Sequence, residues 1–130
     1  MQSHLVHWTP RLLSVLRIIA AFLFMEHGMQ KWLGIPVEPT KPTVLMSLSG
    51  IAGLFELVGG FLLLIGVFTR PVAFVLSGLM ACAYFISHAP NGFWPIVNRG
   101  ELAALYCFVF LYLAAAGGGP WSLDRWMRNK

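Results

Sequence analysis

Charge is what this chain has least of. Only 11% of its 130 residues are Asp, Glu, Lys or Arg, where a soluble domain carries about 25%. Acids are scarcer than bases, five against nine. So little charge excludes an ordinary water-facing surface. Cysteine is limited to Cys82 and Cys107, which excludes a disulfide scaffold. No Cys-x-x-Cys or His-x-x-x-His spacing accompanies the histidines, so the sequence assigns no metal site. There is no internal repeat, and the one low-complexity tract is Gly117-Gly118-Gly119. The first ten residues lack a basic region and no small-residue cleavage site follows, so the first apolar segment is expected to stay in the mature protein.

Long apolar runs are what the chain does have. It is 58% hydrophobic, with a mean hydropathy of +0.72, which makes it a membrane protein whose first partner is the lipid bilayer. At about 20 residues per crossing there is room for four helices and no second domain. The first crossing is expected over 11–33, behind Thr9-Pro10, where Thr suits a cap and Pro the first turn. The second runs over 47–66, the third over 71–88 after the turn Thr69-Arg70-Pro71, and the fourth over 101–116, stopped by Gly117 to Pro120. The fold class that follows is an all-α membrane protein, an antiparallel four-transmembrane-helix bundle in a single domain 1–130. An even number of crossings puts both termini on one side. Arg11, Arg70, Arg125, Arg128 and Lys130 share that side, against Lys31, Lys41 and Arg99 on the other, so the positive-inside rule predicts cytoplasmic termini. The basic residues are scattered, so the net charge of +4 reads as an orientation signal and no nucleic-acid partner is expected.

The few charges matter because of where they stand. Arg17, Glu26, His27, Lys31, Glu56 and Glu101 lie inside or at the ends of these segments. A charge at mid-membrane costs at least about 2.5 to 3.5 kcal/mol, so such groups face a protein interior and often mark function. At about 1.5 Å per residue, Glu26 lies roughly 10 Å and Glu56 roughly 14 Å below the outer boundary, with Lys31, His88 and Glu101 near it. Arg17 stands apart near the inner end, where it either anchors at the headgroups along its stem or faces a partner. Arg17 and Glu26 point to opposite sides of their helix, so one of them is expected to meet lipid, a headgroup or a second subunit of a homo-oligomer. Glu56 shares its helix face with Ser49, Ala52, Gly53, Gly59, Gly60 and Leu63. Small residues admit another helix closely, so Glu56 is expected to be buried, either protonated or paired with His27 or Lys31. Its role is either packing or the handling of a proton or ligand. His27 and His88 suit hydrogen bonding or a pH response. The tryptophans 8, 32, 94, 121 and 126 gather at helix ends, as in interfacial belts. Cys82 and Cys107 are each six residues from the outer ends of consecutive helices, so equal depth is expected, and they are either small buried hydrophobes or a redox-active dithiol.

Read in order, these motifs resemble those of the DoxX family of small membrane proteins. Arg17 followed by Glu26-His27-Gly28-Met29-Gln30-Lys31 is similar to its first-helix signature, and Glu56-Leu57-Val58-Gly59-Gly60 with Gly66 and Thr69-Arg70 to its second. Gly100-Glu101-Leu102-Ala103 with Tyr106, then Gly119 to Asp124, complete the resemblance. It implies a bacterial inner-membrane protein, a relation to the membrane subunit of thiosulfate:quinone oxidoreductase, and links to sulfur redox metabolism and oxidative stress. No flavin, haem or iron–sulfur motif is present.

The leading expectation is therefore a component of a membrane redox system that binds quinone or a small sulfur or oxygen species in an outer-half polar pocket. Glu56 and Glu101 would handle protons, and Arg17, Glu26, His27, Lys31, His88 and Tyr106 would bind. Electrons would pass through a soluble redox enzyme or through Cys82 and Cys107 as redox candidates. Two alternatives stay open: a non-enzymatic anchor or assembly subunit for a soluble oxidoreductase, and a transporter of a small solute or proton.

Overall fold

The computed structural model describes residues 2–130, and every regular element among them is helical. In chain order these are α1 (Gln2–Val6), α2 (Thr9–Leu33), α3 (Leu48–Ile65), α4 (Thr69–Ala83), a π-helical turn (Tyr84–His88), a 3-10 turn (Ala89–Asn91), α5 (Pro95–Asn98), α6 (Glu101–Ala116) and α7 (Leu123–Arg128). The stretches His4–Leu33, Leu48–Ile65 and Thr69–Asn91 are long and apolar enough to cross a bilayer, whereas Glu101–Ala116 is shorter. At 16 residues, α6 is about 24 Å long, short of a hydrocarbon core of about 30 Å.

Helix ends follow local chemistry. The Ser47 side chain accepts from the Gly50 amide at 3.0 Å and starts α3, and Gly66, at φ 74°, ends it in the left-handed conformation that favours glycine. Two ends depart from expectation. α2 starts at Thr9, and Thr9 does not cap it, because Trp8 is itself in the helical region and carries the chain over from α1 without an extended cap. The third segment stops being α-helical at Ala83 and continues to His88 as a π turn.

Packing is set by small residues. A Cβ on Gly28 would stand 2.6 Å from the Gly53 carbonyl oxygen, and one on Gly60 would stand 2.9 Å from the Met25 Cβ. The two contacts descend α2 as they climb α3, so these helices run antiparallel with their backbones nearly touching. Where no water drives helices together, such close approach is the main source of association. Gly59, on the adjacent side of α3, receives Leu76 of α4. Ser77 of α4 then bonds the Cys107 carbonyl of α6 at 2.7 Å. The core closes where Phe24 of α2 meets Tyr106 and Phe110 of α6 edge-on, at 5.4 and 4.9 Å, beside Leu63, Ala73, Leu76 and Leu113. Outward, Leu16, Ile19, Phe22, Val58, Phe61, Phe74, Leu105 and Phe108 are exposed, so every long helix presents apolar side chains that suit lipid and not water.

Candidate functional site

Among the described residues two charged side chains, Arg17 and Glu56, are buried, at opposite ends of the molecule, and they are treated differently. Arg17, one α-helical turn past Leu13, is 1% exposed. Its Nη1 donates to the Gly118 carbonyl and its Nη2 to the Trp121 carbonyl at 2.8 Å. Ser14, on the same side of α2, donates to Gly118 O at 3.1 Å and accepts from the Trp121 amide at 3.1 Å. The reason lies in the shortness of α6. After Ala116 the chain is irregular through Gly117-Gly118-Gly119-Pro120, and buried carbonyls outside a helix need donors from elsewhere in the protein. Arg17 supplies that answer. It does not snorkel to headgroups, so of the two groups expected to face opposite ways, Arg17 is the one turned inward, while Glu26 is half-buried.

At the other end a cavity of about 400 Å³ opens between α2, α3, α4, the π turn and α6. That size suits a small organic ligand. Its lining includes His27, Lys31, Ser49, Glu56, Cys82, Ser87, His88, Arg99 and Tyr106, over an apolar floor of Phe24, Leu79 and Met80. Lys31 Nζ stands 3.0 Å from Glu56 Oε1, the ion pair joining α2 to α3. Glu56 is 5% exposed, and its Oε2 has no hydrogen-bond partner among the described residues. Lys31 is more open, its side chain 24% exposed. Beside them the His27 ring stands perpendicular to Tyr106 at 6.4 Å, and Tyr106 is stacked on Phe110 at 5.4 Å. The π turn carries His88 to the Asn98 carbonyl at 3.1 Å, and such turns are frequent at functional sites because they re-aim side chains. Asn98 is itself buried and pins the loop: its side chain donates to Tyr84 Oη and Gly92 O and accepts from the Gly100 amide. Arg99 follows at φ 61°, a left-handed conformation rare for a side-chain-bearing residue.

The cavity therefore unites His27, Lys31, Glu56, Cys82, His88 and Tyr106 from four stretches of sequence. Glu26, Glu101, Arg17 and Cys107 are not among its lining residues. Glu101 is exposed at the start of α6. Cys107 instead places its sulfur 3.6 Å from the Ser77 hydroxyl. Since Ser77 opposes Cys107, Cys82 lies about 7.5 Å further along α4, and the two cysteines are not level. The equal-depth expectation took His88 as level with Glu101, whereas the chain brings Tyr84 against Gly100 and winds residues 84–88 beyond it. Arg99 and Ser87 are additions from the structure. The only sequence cue for Arg99 is its place in Asn98-Arg99-Gly100, a turn before a helix.

What the set can do follows from its donors and acceptors. Lys31 keeps ammonium protons beyond the one given to Glu56, Arg99 is a permanent cation, and both imidazoles and the Tyr106 hydroxyl can give or take a hydrogen bond. A ligand with an anionic or carbonyl oxygen finds donors, and Glu56 Oε2 is an open acceptor for a proton.

Comparison with known proteins agrees with the architecture. The family model DoxX matches residues 12–89, more than half of the chain. A Haemophilus influenzae protein described as uncharacterized is 42% identical over 132 aligned residues, which cover 94% of this chain and 95% of that protein. A second uncharacterized protein of the same organism is 31% identical over 121 residues, covering 86% of this chain and 80% of its own length. No solved structure matches the chain. With the family model spanning α2 to the π turn and a relative matched nearly end to end, the chain belongs to the DoxX family.

Proposed function

We propose that the protein is a component of a membrane redox system, and that the cavity around Lys31 and Glu56 holds the headgroup of a quinone or a small sulfur or oxygen species. In this reading α2, α3, the α4–π segment and α6 form an antiparallel four-helix bundle in a bacterial inner membrane, with both termini cytoplasmic. The observation that carries the reading is the Glu56 carboxylate, with one oxygen paired to Lys31 at 3.0 Å and the other unpartnered in a cavity ringed by His27, His88 and Tyr106. A quinone carbonyl needs a donor, which Lys31 and Arg99 provide. Its reduction to quinol takes up two protons with two electrons, and Glu56 with His27 is placed to pass protons. The electrons come from a soluble redox enzyme that the chain docks.

A second reading, the non-enzymatic anchor for a soluble oxidoreductase, draws on the loop at the cavity mouth. There Phe93 is 83% and Ile96 77% exposed, with Trp94 and Val97 also open. Titration calorimetry of the detergent-purified protein with a short-tailed quinone separates the two. Binding that Glu56→Gln and Lys31→Met each weaken roughly tenfold or more supports the pocket. Absence of binding, with a soluble enzyme copurifying in stoichiometric amount, leaves the anchor.

A further inference from the structure

The opposite end of the molecule has a cavity of its own, of about 370 Å³, between the start of α4, the glycine loop and α7. Its walls hold Arg70, Arg125 and Arg128 against a single acid, Asp124. That acid is already engaged: Oδ1 accepts from the Phe68 amide at 2.8 Å and Oδ2 from the Thr69 amide at 2.9 Å, holding the first turn of α4. None of the three arginines forms an ion pair among the described residues. At the floor, Gly117 sits at φ 82°, which side-chain-bearing residues rarely adopt, and the position its Cβ would take is 3.2 Å from Arg70 Nε. Trp121 and Trp126 are exposed beside this end, and Trp8, also exposed, precedes α2, whose Pro10 and Leu13 line the same cavity, the arrangement of an interfacial aromatic belt. The cavity thus opens where membrane phosphates lie, with arginine forks whose planar donors match phosphate oxygens.

We propose that the cavity bounded by Arg70, Arg125 and Arg128 binds a phosphate group, presented by an anionic lipid headgroup or free in solution. It needs nothing from the Lys31–Glu56 cavity and stands if the redox reading fails.

Native mass spectrometry of the full chain, released from micelles containing equal phosphatidylglycerol and phosphatidylcholine, tests this alongside calorimetry with inorganic phosphate. Selective retention of phosphatidylglycerol identifies a lipid source, and saturable phosphate binding without lipid selectivity identifies free phosphate. Both support the site. Each single Arg→Gln change should weaken the bound species about fivefold and the triple variant well over about tenfold, from roughly one basic-residue contribution each. Should the triple variant not fold, Arg125→Gln serves alone, since that side chain is exposed and makes no side-chain hydrogen bond among the described residues. Equal retention of both lipids with no phosphate binding, or selective binding unchanged in the arginine variants, overturns the proposal.

Discussion

Arg17 and Glu56 are both buried ionisable residues on apolar helices, yet their surroundings teach opposite lessons. Arg17 spends its two terminal nitrogens on carbonyls of Gly118 and Trp121, more than one hundred residues away, and Ser14 reinforces the same loop. Its charge closes an irregular stretch of backbone. Glu56 has one partner, Lys31, and one oxygen left over in a cavity. A group whose two terminal nitrogens are both held by backbone carbonyls, with only its Nε unpartnered, staples the fold. A group whose bonding is incomplete, in a cavity with other polar side chains, is available to a ligand. The two motifs that carry the family resemblance on α2, the early arginine and the later His-Gly-x-x-Lys, therefore do different work.

The comparison is broken most severely at the staple. Arg17→Met keeps much of the volume but leaves the Trp121 carbonyl without its side-chain donor and the Gly118 carbonyl with Ser14 alone, at an expected cost of about 2 to 4 kcal/mol. Chemical unfolding in detergent measures it, and a variant as stable as the parent would show that the loop does not depend on Arg17. Arg17→Lys should recover part of the loss, because a single ammonium cannot fork to both carbonyls.

Glu56 should respond in the other sense. Glu56→Gln leaves Lys31 unpaired, but that side chain is a quarter exposed and can turn to water, so folding is expected to change by no more than about 1 to 2 kcal/mol. Ligand binding is expected to fall by at least about tenfold. Glu56→Leu should lose binding and also shift the α2–α3 contact. If Glu56→Gln binds every tested ligand as the parent does, Glu56 is a packing residue and the contrast with Arg17 disappears.

Much of this is legible in the amino-acid sequence alone. The glycine face of α3 announces a close helix contact, and a carboxylate on that face calls for a cation, of which Lys31 is one of two offered by α2. The bounds of α3 and α6 follow from Ser47, Gly66 and the glycine run. The partner of Arg17 was not legible, because backbone carbonyls leave no trace in residue identity and the loop is distant in sequence. Nor was Arg99, whose place depends on Asn98 pinning the turn. The cysteine register escapes the sequence for a related reason: a π turn has the composition of an α-helix, and counting residues at α-helical rise past Ala83 misplaces everything beyond it.

Asp124 tests the arginine-rich end more gently. Burial pushes its carboxyl up, but hydrogen bonds from Thr69 and Phe68 and the nearby Arg128 charge outweigh this, so it titrates below its ordinary value of 3.8. A carboxyl whose folded pKa is lowered stabilises the fold fully above the unfolded value, and the contribution is lost as pH falls through the folded one. Asp124→Ala should therefore destabilise by roughly 1 to 2 kcal/mol at neutral pH, with the gap from the parent closing only below about pH 3.8. A gap that closes near neutrality would mean that another group titrates. The same carboxylate holds the amide of Phe68, which sits at φ 50°, so Phe68→Gly should soften the loss.

The smallest effect on stability, and the finest probe of which end is open, is expected from the cysteines. Cys82 lines the cavity and is exposed, whereas Cys107 is partly buried against Ser77. Cys82→Ser and Cys107→Ser should each change stability by less than about 1 kcal/mol, since surface and small-volume changes rarely do more. Their reactivity should differ clearly. A membrane-permeant maleimide should label Cys82 well ahead of Cys107, and a short-tailed quinone that enters the cavity should slow the Cys82 reaction while leaving Cys107 unchanged. With Cys82 about 7.5 Å along α4 from the residue facing Cys107, the Cα atoms lie beyond the roughly 7 Å that a disulfide spans, so mild oxidant should leave the intact mass free of an internal bridge. An internal bridge would require α4 to slide by more than a turn against α6 and would return both cysteines to electron transfer. Equal labelling rates that no ligand alters would instead show that the Lys31–Glu56 cavity is no more accessible than the core beside it.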